Sequence, residues 1–146
     1  MNLVGGYWGF DGGRIYHHTG PVSSFYAMRE ALNIASEEGL PSLYKRHQEN
    51  HERLWTGLDK LGLKPFVEDA KDRLATVNTI KVPEGVDWAK LVANAMDNYR
   101  VEIAGGLGPT VGKVWRVGVM GYNAQPQNID MVLQVFKDGL QKQKFL

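Results

Sequence analysis

The chain has 146 residues, a length that suits one domain with a core of its own. Lys plus Arg number 17 against 16 Asp plus Glu, a net charge of +1, which leaves no electrostatic footprint for nucleic acid or an anionic membrane. Cysteine is absent, excluding a disulfide scaffold, a thiolate nucleophile and a zinc–cysteine site, and no apolar run is long enough to span a bilayer.

Glycine is in excess, at 17 residues where average usage predicts about ten. Six of them, from Gly5 to Gly20, sit among Tyr7, Trp8, Phe10 and Tyr16. Glycine and aromatics without periodicity suggest irregular chain that packs against something larger. From Val22 the spacing turns helical, with Phe25, Met28, Leu32 and Ala35 as the apolar stripe. Ser23 or Ser24 is expected to cap this helix and Gly39 to end it. A second helix follows, with Leu40, Leu43, His47, Leu54, Leu58 and Leu61 inward and Lys45, Arg46, Glu49 and Glu52 on the wet side. Gly62 stops it. The two helices are expected to form a hairpin or an elbow.

The period then changes. Phe66 and Val67 read as a short edge strand, 69–73 as a polar loop, and 77–82 as a strand. Asp87 is placed to cap a helix carrying Trp88, Leu91, Val92, Ala95 and Tyr99 on one face. A short strand at 101–103 precedes the tight loop Gly105-Gly106-Leu107-Gly108-Pro109. The segment 114–120 is the clearest strand, and the last helix opens near Pro126 and buries Ile129, Val132, Leu133, Phe136 and Leu140. The order predicts an α+β fold: two leading helices, then a small, mostly antiparallel sheet covered by helices on one face.

Arg116 is the sharpest feature. Alternation puts Trp115, Val117 and Val119 toward the helices and Arg116 on the opposite face, between Val114 and Gly118. A guanidinium beside glycine is suited to bidentate capture of a carboxylate. A structural ion pair or a solvated arginine is the alternative. The Gly105–Pro109 loop either cradles an anion with backbone N–H groups or is a tight connection lining a cleft. Tyr16, His17, His18 and Thr19 set groups able to bind phosphate in a glycine-bounded loop, with local packing as the alternative. His47 and His51 have metal spacing, but Gln48 stands where H-E-x-x-H needs Glu, so His47 reads better as a histidine at the core edge. The Met, Trp and Leu stripes are expected to be core.

Four segments occur in order: Gly6-Tyr7-Trp8-Gly9, Ile15-Tyr16-His17-His18-Thr19, Ala104-Gly105-Gly106-Leu107-Gly108-Pro109, and Val114 through Ala124. Together they resemble the C-terminal portion of the alanine–glyoxylate (serine–pyruvate) aminotransferases, class-V enzymes of fold type I that use pyridoxal 5'-phosphate (PLP). The resemblance covers essentially the whole chain. It implies that residues 1–20 are the tail of the large PLP-binding domain and 21–146 the small C-terminal domain. It implies a homodimer acting on amino acid and 2-oxo acid substrates, with no nucleic acid or membrane partner.

By the same resemblance, Arg116 holds the substrate α-carboxylate, with Gly105 and Gly106 beside the substrate. Tyr16 and Thr19 reach the cofactor phosphate of the neighbouring subunit. The family's Schiff-base lysine and the aspartate that pairs with the pyridine nitrogen lie upstream of the matching segment. No lysine here fits that lysine's motif, so the segment alone is expected to be inactive, with no metal and no catalytic residue of its own. Two rivals stand beside this reading: a 3-hydroxykynurenine transaminase of the same family, and a non-enzymatic amino-acid-binding or dimerisation module. Animal members often end in a peroxisomal signal of the S-K-L type. Lys144-Phe145-Leu146 keeps only the leucine, a poor signal that leaves peroxisome, mitochondrion and cytosol open.

Overall fold

The helical spacing that begins at Val22 is realised as α1, Val22–Glu38, in a computed structural model that describes residues 8–10, 12–13 and 19–146. Tyr16, His17 and His18 lie outside the described residues. The chain divides into two units, Met1–Leu40 and Pro41–Leu146. In the first unit, α1 starts directly after Pro21 with no side-chain cap. Ser23 and Ser24, expected as caps, instead occupy the first turn: the proline ring already fixes the φ that a helix start needs. The helix ends where expected, at Gly39, whose φ of +78° suits a residue without Cβ. The stripe has helical spacing but is not covered: Phe25, Met28 and Leu32 are exposed, and α1 buries no residue.

The second unit is built on α2, Leu40–Lys60. Its inward row buries His47, Asn50, Leu54 and Leu58, one residue per turn or nearly so. Gly62, at φ +71°, turns the chain, and the Leu63 amide donates back to Leu58 O. Three strands follow: β1, Val77–Lys81; β2, Ala104–Gly105; and β3, Val114–Gly118. Their order is β1-β3-β2, and both pairings are antiparallel. β1 and β2 therefore run the same way on either side of β3. The crossover between them carries α3, Trp88–Asn94, which passes into a wider π-type turn over Ala95–Tyr99. Arg100, in the left-handed region at φ 57°, ends it. The last helix is α4, Pro126–Lys142, with Pro126 in its first turn.

Two expected strands do not form as read, and the two expected at 77–82 and 114–120 end sooner, at Lys81 and Gly118. The Phe66–Val67 edge strand reduces to one bridge, Pro65 to Ile80, with Phe66 N–H on Thr79 O and Lys81 N–H on Lys64 O. Proline is tolerated there because the flanking Lys64 O and Phe66 N–H make both bonds to β1, which leaves the missing donor of Pro65 on the outer edge. The 101–103 segment is not a strand; ladder pairing begins at Ala104, because the Val101 amide still bonds Ala95 O at the helix end. The loop at 69–73 contains one 3-10 turn, Ala70–Asp72, capped by the Asp69 side chain.

The core lies on one face of the sheet, as the alternation predicts. Trp115, Val117 and Val119 are buried with Leu54 and Leu58 of α2, Leu91 of α3, and Ile129, Phe136 and Leu140 of α4. Trp115 meets Phe136 edge to face at 5.4 Å between centroids and donates its indole N–H to Trp88 O, so its polar atom is satisfied inside the core. Asn78 of β1 is buried among these apolar side chains, and its Oδ1 accepts from His51 Nδ1 and Trp55 Nε1, both at 2.8 Å. That pair of bonds ties α2 to the sheet and offsets the burial of the amide. No helix is long and apolar enough to cross a membrane among the described residues.

Candidate functional site

The face of the sheet opposite the core carries Arg116. Across the ladder it stands opposite Thr79 of β1 and Ala104 of β2. Side chains in register share a face, so Arg116 is flanked by one hydroxyl and one methyl. Val114, two residues back on the same row, is fully buried, whereas Gly118, two residues on, is exposed. The row is closed at one end and open at the other, with the half-buried guanidinium between.

Arg116 Nε donates to Gly105 O at 2.7 Å. That bond commits the inner edge of the guanidinium and leaves the two terminal NH2 groups as the outward donor edge. Among the described residues no carboxylate pairs with Arg116. Lys81 lies on the same row of β1, but it is already paired with Glu68 at 2.9 Å. The hydrogen bond and charge of Lys81 hold the Glu68 carboxyl below its ordinary range. The alternative of a structural ion pair at Arg116 is thus not what the described residues form.

The glycine loop is shaped from within. A Cβ on Gly105 would stand 2.8 Å from Cζ3 of Trp88. A Cβ on Gly106 would collide with the Thr110 carbonyl. Both positions need glycine for the loop's own packing. Thr110 Oγ1 accepts from the Leu107 amide and donates to Leu107 O. The amides of Thr110, Val111 and Lys113 bond carbonyls of the same loop. These internal bonds make 107–113 a tight connection. The Gly105 carbonyl is what reaches the arginine.

On the far side of β3 the chain turns through Gly121–Asn123. The Gly121 amide donates to His47 Nε2 at 2.9 Å, while His47 Nδ1–H donates to Leu43 O at 2.7 Å. Both ring nitrogens are engaged, which fixes one neutral tautomer. Arg46 donates to Gly121 O and Ala124 O at 2.7 and 2.9 Å, and Asn50 Nδ2 reaches Ala124 O at 3.2 Å. Arg46, read from the sequence as solvated, is half-buried and clamps this turn. Thr19 belongs to the first unit and is exposed; its partner in the resemblance, Tyr16, lies outside the described residues. The structure therefore joins Arg116 to Gly105 directly, with Gly106 next in the chain.

Sequence reading missed three contributors. Trp88 was seen as a core residue, but its ring is what Gly105 packs on. Arg46 carried no signal, because a clamp on a distant carbonyl leaves no trace in helical periodicity. Met120, assigned with the methionines to the core, is 51% exposed. Its distance of four residues from Arg116 along extended chain was the available clue.

Residues 7–132 match the family described as Aminotransferase class-V. The chain is 50% identical over 143 residues to the alanine–glyoxylate aminotransferase of Drosophila melanogaster, covering 97% of this chain and 36% of that protein. Among solved structures it is similar to the alanine–glyoxylate aminotransferase of Nostoc sp., at TM-score 0.84 and 41% identity, covering 96% of this chain and 36% of that one. It is also similar to the ureidoglycine–glyoxylate aminotransferase of Bacillus subtilis, at TM-score 0.86 and 30% identity, covering 97% and 36%. The chain thus spans about a third of the length of the relatives it matches.

Proposed function

The chain belongs to the class-V aminotransferase family, and from that premise we propose that it acts as the C-terminal part of a transaminase moving an amino group from alanine or serine to glyoxylate or pyruvate. Members of the family carry PLP. The relatives named above all take glyoxylate in their names, and none names the aromatic donor of the hydroxykynurenine rival. The single observation that carries the reading is Arg116. It is a half-buried cation with no carboxylate partner among the described residues, and the Gly105 carbonyl holds its Nε.

The guanidinium's terminal NH2 groups bind the α-carboxylate that amino and 2-oxo acid substrates share. Binding that group at two points fixes the rotation of Cα, so the bond to be broken is presented in one direction. Thr79 and Ala104 flank the guanidinium without competing charge. When bound, PLP supplies the electron sink for the chemistry at Cα. The hydroxyl of Thr19 is chemically suited to donate to a phosphate oxygen of that group, in line with its role in the resemblance, as is the phenol of Tyr16.

The amine that would hold the cofactor is assigned to the preceding large domain. A Schiff-base lysine works from a desolvated setting that depresses its pKa. None of the lysines here is buried, and the half-buried Lys81 is held by Glu68. In this reading residues 1–20 end the large domain, 21–146 form the small domain, and the complete enzyme works as a homodimer. The test is direct. The complete enzyme is expected to form pyruvate from alanine and glyoxylate, and the 146-residue chain with added PLP to form none. No pyruvate from the former would remove the activity; pyruvate above background from the latter would remove the missing-lysine argument.

A further inference from the structure

We propose that Met120 is a specificity-determining residue, a movable thioether wall beside the Arg116 guanidinium that limits the size of the substrate side chain. The inference rests on the reading of Arg116 as the carboxylate site.

The backbone stays extended past the end of β3. Met120 has φ −135° and ψ 141°, and the intervening Val119 is fully buried, with its amide on Thr76 O at 2.7 Å. Alternation therefore continues, and Arg116, Gly118 and Met120 share the face that carries the proposed site. Successive residues on one face of a strand are about 6.8 Å apart, too far for Met120 to matter if its side chain stood upright. It folds back instead. Its terminal methyl, Cε, lies 3.0 Å from where a Cβ on Gly118 would stand. The tip of this methionine thus lies over Gly118, one pleat step from Arg116 on the same face.

Base and tip of the residue differ in freedom. The turn that follows is held on three sides: Gly121 N–H on His47, Gly121 O on Arg46, and Asn123 N–H on Met120 O at 3.0 Å. The side chain, by contrast, is 51% exposed and unbranched, and methionine adapts to what it touches by rotating soft torsions. A fixed base with a soft tip makes a wall that admits the methyl of alanine or the bare aldehyde of glyoxylate and resists longer chains. The ligand class is a small α-amino or 2-oxo acid.

The experiment compares kcat/KM for alanine with that for 2-aminobutyrate and norvaline in the complete enzyme, for the unaltered protein and for M120A, M120Q and R116A. M120A is expected to raise the ratio of longer donor to alanine about tenfold, the scale at which one methylene is discriminated in an apolar pocket. M120Q keeps length and flexibility and is expected to leave the ratio unchanged. An unchanged ratio in M120A, with KM raised for every donor in R116A, would overturn the Met120 proposal and leave the carboxylate site standing. An unchanged KM in R116A would overturn both. An unaltered melting temperature for M120A checks that the ratio changes without loss of folding.

Discussion

Arg116 Nε and the Gly105 carbonyl are joined at 2.7 Å, so the cation of β3 takes its orientation from the last residue of the neighbouring strand β2. Gly105 in turn rests on the ring of Trp88, whose own carbonyl accepts from the Trp115 indole. A chain of contacts runs from the core tryptophan through Trp88 and Gly105 to the guanidinium. The sheet does more than display the arginine: it sets the plane of the fork.

Gly105→Ala tests that chain. The new Cβ would meet Trp88 Cζ3 at 2.8 Å, and a ring partly buried against the core yields little. The expected cost is about 1–3 kcal/mol, typical of overpacking, read by urea denaturation. Adding Trp88→Leu should return part of it, so the two substitutions will be non-additive. Additive losses would show that Trp88 does not support the loop.

His47→Ala removes the acceptor of the Gly121 amide. Losing that hydrogen bond costs about 0.5–1.5 kcal/mol, and exchange of the Gly121 amide hydrogen should quicken in step. His47→Gln, which offers a side-chain oxygen, should lose less. Equal losses in both variants would point to the ring's packing rather than to the hydrogen bond.

Asp138 supplies a pH dependence. Its carboxyl accepts from Lys142 first and Asn94 next, and both hold its pKa below the ordinary carboxylate value. A carboxyl with a depressed folded-state pKa stabilises the fold above its unfolded pKa of about 3.9. That contribution is lost as pH falls through the folded value. Chemical denaturation at pH 7 and at pH 3 should therefore show a steeper acid loss for the unaltered chain than for Asp138→Asn. Parallel losses would remove Asp138 from the acid response.

Where apolar residues repeat against a core, the sequence was readable. The stripes of α2 and α4 and the alternation of β3 place Leu54, Phe136 and Trp115 correctly, because each residue's burial follows from its period. Asp87 was readable for a local reason: its Oδ1 accepts from the amides of Ala89 and Lys90, as a capping residue should. The failures are non-local. The exposed stripe of α1 has the same period as a buried one, since periodicity records which face is apolar and not what covers it. Phe66 and Val67 have strand propensity, which does not report how many rungs a neighbouring strand will form with them. At the site, the position of Arg116 was legible from alternation. Its bond to a carbonyl eleven residues away and the folded-back Met120 were not, because both depend on where two loops close.

The central claim is that Arg116 binds the substrate carboxylate, and KM for alanine and glyoxylate in the complete enzyme measures it most directly. Losing a charge-assisted pair of about 2–3 kcal/mol should raise both values roughly 30- to 160-fold in Arg116→Ala. Arg116→Lys, with the charge but without the fork, should restore only part. KM values unchanged for both substrates in Arg116→Ala would contradict the account.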